Sequence, residues 1–193
     1  MNLEMDRQGL VTRAAAFAAG AHDGQLRKGS SLPYILHPME AAAIAATMTD
    51  DPEVLAAALL HDCIEDCGVT ALEIKERFGP RVARLVMFMT EDKEPGSPAN
   101  SWQRRKLRTI NRLRAASREE LILTMADKLS NLRAIERDLR EHGSAVWKKF
   151  NQTNPTMQRW YYASIAEGLK PLENFEAYQE YLSRLERVFG TQS

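Results

Sequence analysis

No part of the 193-residue sequence joins the roughly 20 apolar residues that a membrane-spanning helix requires, so no membrane partner is expected. Net charge is also missing, because 26 Lys and Arg are balanced by 26 Asp and Glu. No overall field draws the chain to nucleic acid, and only a local patch could do so. Cysteine is scarce: there are only Cys63 and Cys67, four residues apart. On a helix that spacing excludes an ordinary disulfide without distortion, which favours a reduced, cytoplasmic setting. The opening MNLEMDRQ is polar and acidic, unlike a secretory leader. Strand-type alternation, internal repeats and low-complexity tracts are absent as well.

What remains is helix-forming sequence, rich in Ala, Leu, Glu and Arg. The expected fold is all-α, in one domain over residues 1–193. Leu10 to Ala21 reads as a first helix. His37-Pro38 reads as the start of a second, with Pro38 in the first helical position, running to about Thr47. Asp51 caps a third, which Pro52 opens and which runs through Leu60 toward Glu65. Thr70 with Glu73 suggests a capping box for a short helix ending near Phe78-Gly79, and Pro80 opens another to Met89. Glu91 to Asn100, with two prolines and a glycine, is the clearest loop. Helices then follow over Trp102–Ala116, Arg118–Leu139 with room for a break, Pro155–Leu169 and Asn174–Phe189, and His142-Gly143 is a stop.

The stretch LLHDCIED, residues 59–66, places three carboxylates and a histidine directly after the apolar run Val54 to Leu60. On a helix Asp62 shares a face with Glu65 and Asp66, where like charges repel. Burial of unpaired carboxylates costs far more. A divalent cation removes the conflict by becoming the largest local charge. Without one, a solvated helix end paired with Arg or Lys would serve. PYILHP, residues 33–38, holds His37 between two prolines, either as a fixed ligand or as a helix-capping histidine. Asp127 lies within the apolar pattern of Leu123, Leu129 and Leu132, and needs a cation or the neighbouring Lys128. His37, His61, Asp62 and Asp127 together make a mixed nitrogen and oxygen set that suits a first-row divalent metal such as Mn, Fe, Co or Zn. Cys63 and Cys67 could bind zinc with His61, but that set lacks a fourth ligand, and small buried hydrophobes is the preferred role for both. Glu65 and Asp66, within a turn of the ligands, could orient or deprotonate a water, or support the ligands from behind.

RRKLRTINRLR, residues 104–114, combines an apolar stripe of Leu107, Ile110 and Leu113 with a basic face. That face is either plainly solvated or an attractor of polyanions, including RNA. Trp102, Trp147 and Trp160 read as core or interface anchors.

AHDGQLRKGSSLPYILHP, LLHDCIED and ADKLSNL resemble, in that order, motifs of the HD-domain phosphohydrolases. The pattern is most similar to the hydrolase domain of the RelA/SpoT alarmone enzymes, in particular to the small stand-alone alarmone hydrolases. The likeness covers residues 9–137, with helices over 155–189 completing the bundle. It implies a helical bundle with a metal site between helices, and manganese-dependent removal of the 3′-diphosphate from (p)ppGpp to give GDP or GTP and pyrophosphate. It implies His37, His61, Asp62 and Asp127 as metal ligands and ties Glu65 and Asp66 to catalysis. Arg27, Lys28, Lys128 and Asn131 match positions that contact the guanosine nucleotide. The GSSL between Lys28 and Pro33 departs in length from the better-known versions, and a late tyrosine of some relatives has two candidates here, Tyr161 and Tyr162. The alternatives are an HD-type phosphatase acting on another nucleotide such as NADPH, and a non-catalytic alarmone-binding module. A homo-oligomer is compatible with either.

Overall fold

The computed structural model describes residues 3–91 and 98–190, with side chains over 9–91 and 102–190. The chain is all-α. Its helices are α1 Leu3–Ala21, α2 Leu36–Ala45, α3 Pro52–Leu60, α4 Cys63–Cys67, α5 Ala71–Phe78, α6 Pro80–Met89, α7 Pro98–Leu113, α8 Arg118–His142, α9 Pro155–Gly168 and α10 Glu176–Phe189. Short 3-10 segments fill Gly143–Lys149 and Lys170–Leu172. Among the described residues the nearest approach to a sheet is one antiparallel pairing, Leu26 with Pro33.

Two helices form the centre, and each is apolar beyond a single stripe. In α3 every residue from Ala56 to Leu60 is buried, and in α8 every residue from Leu121 to Asp127. Such helices must be covered all round. α3 packs against α1, α2 and α6, and α8 against α2, α3, α6 and α10. Trp102 and Trp147 are buried, and Trp160 packs against the core edge.

Ion pairs hold the outer helices to this centre. The Glu136 carboxylate on α8 accepts from Arg140, Arg184 and Arg187, and the last two lie on α10. Arg133 of α8 bonds Glu40 of α2 at 3.1 Å and Glu180 of α10 at 2.7 Å.

The helix boundaries differ from the sequence reading in informative places. α2 begins at Leu36, so His37 lies inside its first turn and Pro38 is its third residue. A proline is tolerated there because the first four backbone N–H groups have no intrahelical partner. α3 starts as expected, with Asp51 accepting from the Glu53 amide at 3.0 Å. It ends at Leu60 and does not run on to Glu65. His61 turns its Nδ1 onto the Ala58 carbonyl at 2.8 Å, satisfying a terminal acceptor, and Asp62 adopts φ −96°, ψ −6°. α4 is then a single turn, stopped by Gly68 at φ +69°, a left-handed conformation that favours glycine.

Thr70 caps α5 through the Glu73 amide, but the Glu73 carboxylate bonds Arg77 and does not complete the box. α8 runs unbroken to His142, opened by a full capping box between Ser117 and Glu120. Of the expected loop 91–100, residues 92–97 lie outside the described residues, and residues 98–100 belong to α7. α7 ends at Leu113 and not Ala116. Its apolar stripe is narrower than expected, since Leu107 is 42% exposed while Leu113 is buried.

Candidate functional site

The break after α3 and the first turn of α2 face the middle of α8. This brings His37, His61 and Asp127 together, all buried, with one ligating atom from each within 4.8 Å of the others. Asp127 Oδ1 lies 3.3 Å from His37 Nε2 and 3.9 Å from His61 Nε2. Asp62 Oδ2 stands 3.1 Å from His61 Nε2 and 3.6 Å from His37 Nε2. All four candidate ligands therefore converge.

Both rings have their outer nitrogen committed elsewhere. His61 Nδ1–H donates to the Ala58 carbonyl. His37 Nδ1 lies 2.8 Å from Ser130 Oγ, whose proton goes to Glu40 at 2.7 Å, so Ser130 accepts from His37 Nδ1–H. Each ring is thus fixed with its Nε2 lone pair aimed inward, as metal-ligating histidines are held. His61 Nε2 is buried without a hydrogen bond, its closeness to Asp62 notwithstanding. An orphaned imidazole nitrogen beside two carboxylates fits a first-row divalent ion.

The electrostatics show how strongly the two carboxylates attract positive charge to this spot, a proton on His61 when no cation is bound. Burial disfavours a charged His61 ring, yet Asp62 and Asp127 outweigh it and carry its pKa up to about 9. Burial holds His37 below its ordinary value. Burial would raise Asp127, but the Lys128 ammonium and the two imidazoles hold it well below the carboxylate range. A 2.7 Å bond joins Lys128 Nζ to Asp127 Oδ2, and Asn131 Nδ2 donates to Oδ1 at 2.6 Å. Asp127 thus has both its lysine and a place among the ligands.

His37, Asp62 and Asp127 line a cavity of about 210 Å³, with His61 buried beside them. Glu65, Asp66, Arg27, Lys128 and Asn131 line it. Arg27 Nη2 donates to Asn131 Oδ1 at 3.1 Å. Lys28 does not reach this cavity. Its ammonium bonds Asn151 at 3.2 Å in an adjoining cleft of about 530 Å³, which also touches Glu65, Asp66 and Lys128. Tyr161 lines both spaces, with its hydroxyl buried and unpartnered and its ring 5.0 Å from Lys106 Nζ. Tyr162 lines only the neighbouring clefts.

Three contributors escaped the sequence reading. Tyr34 donates its hydroxyl to Asp62 Oδ2 at 2.7 Å and lies 3.3 Å from Asp66 Oδ2, bridging the two acids. It stood in the PYILHP stretch with no role given to it. Ser130 supports His37, and its position three residues after Asp127 on one helix face was the available signal. Glu91 accepts from Arg105 at 3.1 Å and Lys106 at 2.8 Å, while its amide bonds Glu65 at 3.1 Å. Arg105 and Lys106 of α7 are therefore tied to the cavity wall. Among the described residues no helix is long and apolar enough to cross a membrane.

Comparison with known proteins follows the same lines. The family model described as HD domain matches residues 14–156. A guanosine-3′,5′-bis(diphosphate) 3′-pyrophosphohydrolase of Aquifex aeolicus is 38% identical over 128 residues, covering 65% of this chain and 18% of that protein. A GTP pyrophosphokinase of Myxococcus xanthus is 32% identical over 131 residues, covering 66% of this chain and 17% of that protein. The chain thus spans less than a fifth of the length of these two relatives. The crystal structure of the Listeria monocytogenes protein lmo0812 superposes with a TM-score of 0.71 at 33% identity, covering 82% of this chain and 97% of that one. A metazoan SpoT ortholog, described as hydrolysing ppGpp, shares the fold with a TM-score of 0.72 at 24% identity, covering 92% and 94%.

Proposed function

The chain belongs to the HD-domain family, and from that premise we propose that it is a manganese-dependent hydrolase removing the 3′-diphosphate of (p)ppGpp. The observation that carries the reading is the buried, unpartnered His61 Nε2. It stands beside His37 Nε2, Asp62 and Asp127, under a cavity lined by further acids and cations.

His37, His61, Asp62 and Asp127 would hold the ion. When bound, a first-row divalent ion supplies Lewis-acid polarisation of the phosphoryl group and acidifies water in the site. Glu65 and Asp66 face the same cavity and take the proton of the attacking water or orient it. Tyr34 keeps Asp62 and Asp66 at a fixed separation while that happens. Lys128 faces the diphosphate from the α8 side, and its ammonium stays charged because Asp127 raises its pKa against the effect of burial. Phosphoryl transfer draws most of its help from such positioned positive charge. Arg27 offers a planar guanidinium at the mouth, with Asn131 orienting it. Lys28, in the adjoining cleft, meets the part of the nucleotide that lies outside the cavity. A single hydrolase unit over residues 1–193 accounts for α9 and α10 packing onto α7 and α8.

The test is release of pyrophosphate from ppGpp by the purified protein, with and without manganese. Asp62→Ala should abolish release while circular dichroism shows the helices intact. Release of inorganic phosphate instead, or preference for NADPH, would reassign the substrate. Full activity of Asp62→Ala would refute the site itself.

A further inference from the structure

The axis of α8 orders the cavity from end to end. Thr124, Asp127, Lys128 and Asn131 share one face of the helix, and all four line the cavity. Asn131, one turn beyond Asp127, lies on the side of Arg27, at the mouth. Thr124, one turn before Asp127, marks the opposite end. There Thr124 Oγ1 lies 3.9 Å from Met89 Sδ, and Met89, Phe88 and Arg112 line the same cavity.

Arg112 differs from the other cations of this wall. Lys106 pairs with Glu91, Lys128 pairs with Asp127, and Arg27 bonds Asn131. Among the described residues Arg112 has no ion pair. Its guanidinium carbon lies 4.7 Å from the centroid of the Phe88 ring. That contact holds the group in place and consumes none of its donors. Its Nε is buried without an acceptor, which is uncommon in a folded chain. The space does not end at Arg112. A pocket of about 200 Å³ shares Glu91, Thr109 and Arg112 with the cavity and is otherwise lined by Arg105 and Arg108.

On the premise that the chain hydrolyses (p)ppGpp, we propose that Arg112 binds the outer phosphate of the 3′-diphosphate and so selects a diphosphate over a single phosphate. In that reaction water attacks the phosphorus joined to the 3′-oxygen. The bond between them breaks, the 3′-oxygen takes a proton, and both phosphates leave together as pyrophosphate. With the nucleoside at the Arg27 end and the reacting phosphorus over Asp127, the outer phosphate extends toward Thr124 and Arg112. A planar guanidinium with free N–H groups matches phosphate oxygens in pairs. A substrate carrying a single phosphate stops short of Arg112 and gains nothing from it. Arg112 therefore sets specificity and takes no part at the reacting atoms.

Inorganic pyrophosphate and inorganic phosphate are the probes, titrated into the manganese-loaded chain at fixed free manganese. Arg112→Gln should weaken pyrophosphate binding at least about tenfold, the scale of a charge-assisted hydrogen bond, and phosphate binding far less. Arg112→Lys keeps the charge and loses the fork, so its loss should run the same way and be smaller. In turnover, the kcat/KM preference for ppGpp over guanosine 5′-diphosphate 3′-monophosphate should fall in step. Circular dichroism and the manganese Kd check that both variants are folded. Equal losses on the two anions, or a pyrophosphate preference that survives in both variants, would overturn the assignment. A wild-type chain that releases no pyrophosphate from ppGpp would count against the proposed function instead. The anion titrations need no turnover, and they decide the role of Arg112 in either case.

Discussion

Replacing Ser130 with alanine removes one oxygen atom that never touches the metal position, yet it should weaken manganese binding. In the wild type the Ser130 hydroxyl gives its proton to Glu40 and accepts from His37 Nδ1–H. Without that acceptor, a buried N–H is left unpaired. The ring can escape by moving its proton to Nε2, where Asp127 Oδ1 waits 3.3 Å away. That tautomer cannot ligate. Manganese therefore has to restore the proton to Nδ1 and bear the cost of an orphaned buried donor, about 1–3 kcal/mol. The expected result is a roughly 5- to 150-fold rise in the manganese Kd. Calorimetric titration measures it directly. Activity at saturating manganese should return close to the wild-type level, because no group facing the nucleotide has changed. A Kd within twofold of wild type, in a folded variant, would refute the argument that Ser130 fixes the tautomer.

Manganese at a hundredfold excess over its Kd should stabilise the fold by about 2.7 kcal/mol, raising Tm by about 5–10 °C for a chain of this size, and Asp127→Asn should erase the shift in a thermal scan. Burial would raise the Glu136 pKa, but its arginines hold it down at about 2, against an ordinary 4.5. Its contribution is therefore complete above pH about 4.5 and lost as pH falls toward 2. Glu136→Gln should cost about 2 kcal/mol at neutral pH, after allowance for the exposure of Arg140 and Arg187, and the gap in urea denaturation should close on acidification. Gly168→Ala would place a Cβ 2.9 Å from Leu113 Cδ1 and 3.1 Å from Leu113 Cβ, where α9 meets α7. It should cost about 1 kcal/mol or more despite the better helix propensity of alanine, and a gain in stability would deny that contact.

Helix content was readable because the apolar positions recur at helical spacing and prolines and caps mark most starts. Asp51, Pro52, Thr70 and Pro80 all open helices where they were expected to. The break at His61-Asp62 was not readable. Nothing in LLHDCIED resembles a stop signal, and the helix yields there because the His61 ring takes a backbone carbonyl. α2 began early for a related reason, since Pro38 is acceptable anywhere in a first turn. The residues drawn into the site could be nominated from charge stranded among apolar neighbours, as with Asp127. Their supports could not. Tyr34, Ser130 and Glu91 act through hydrogen bonds spanning 26 to 93 positions, and a single sequence carries no measure of such distances.

The two faces of the cavity are built to different standards of stiffness. Asp127, Lys128, Ser130 and Asn131 all sit within two turns of a 25-residue helix that is anchored at its far end by Glu136 and its arginines. Glu65 and Asp66 ride on five residues between a kink and a glycine. Variation can then reach the proton-handling acids without loosening the grip on the ion. A search for altered chemistry in this scaffold would begin at the short bracket and leave the long beam untouched.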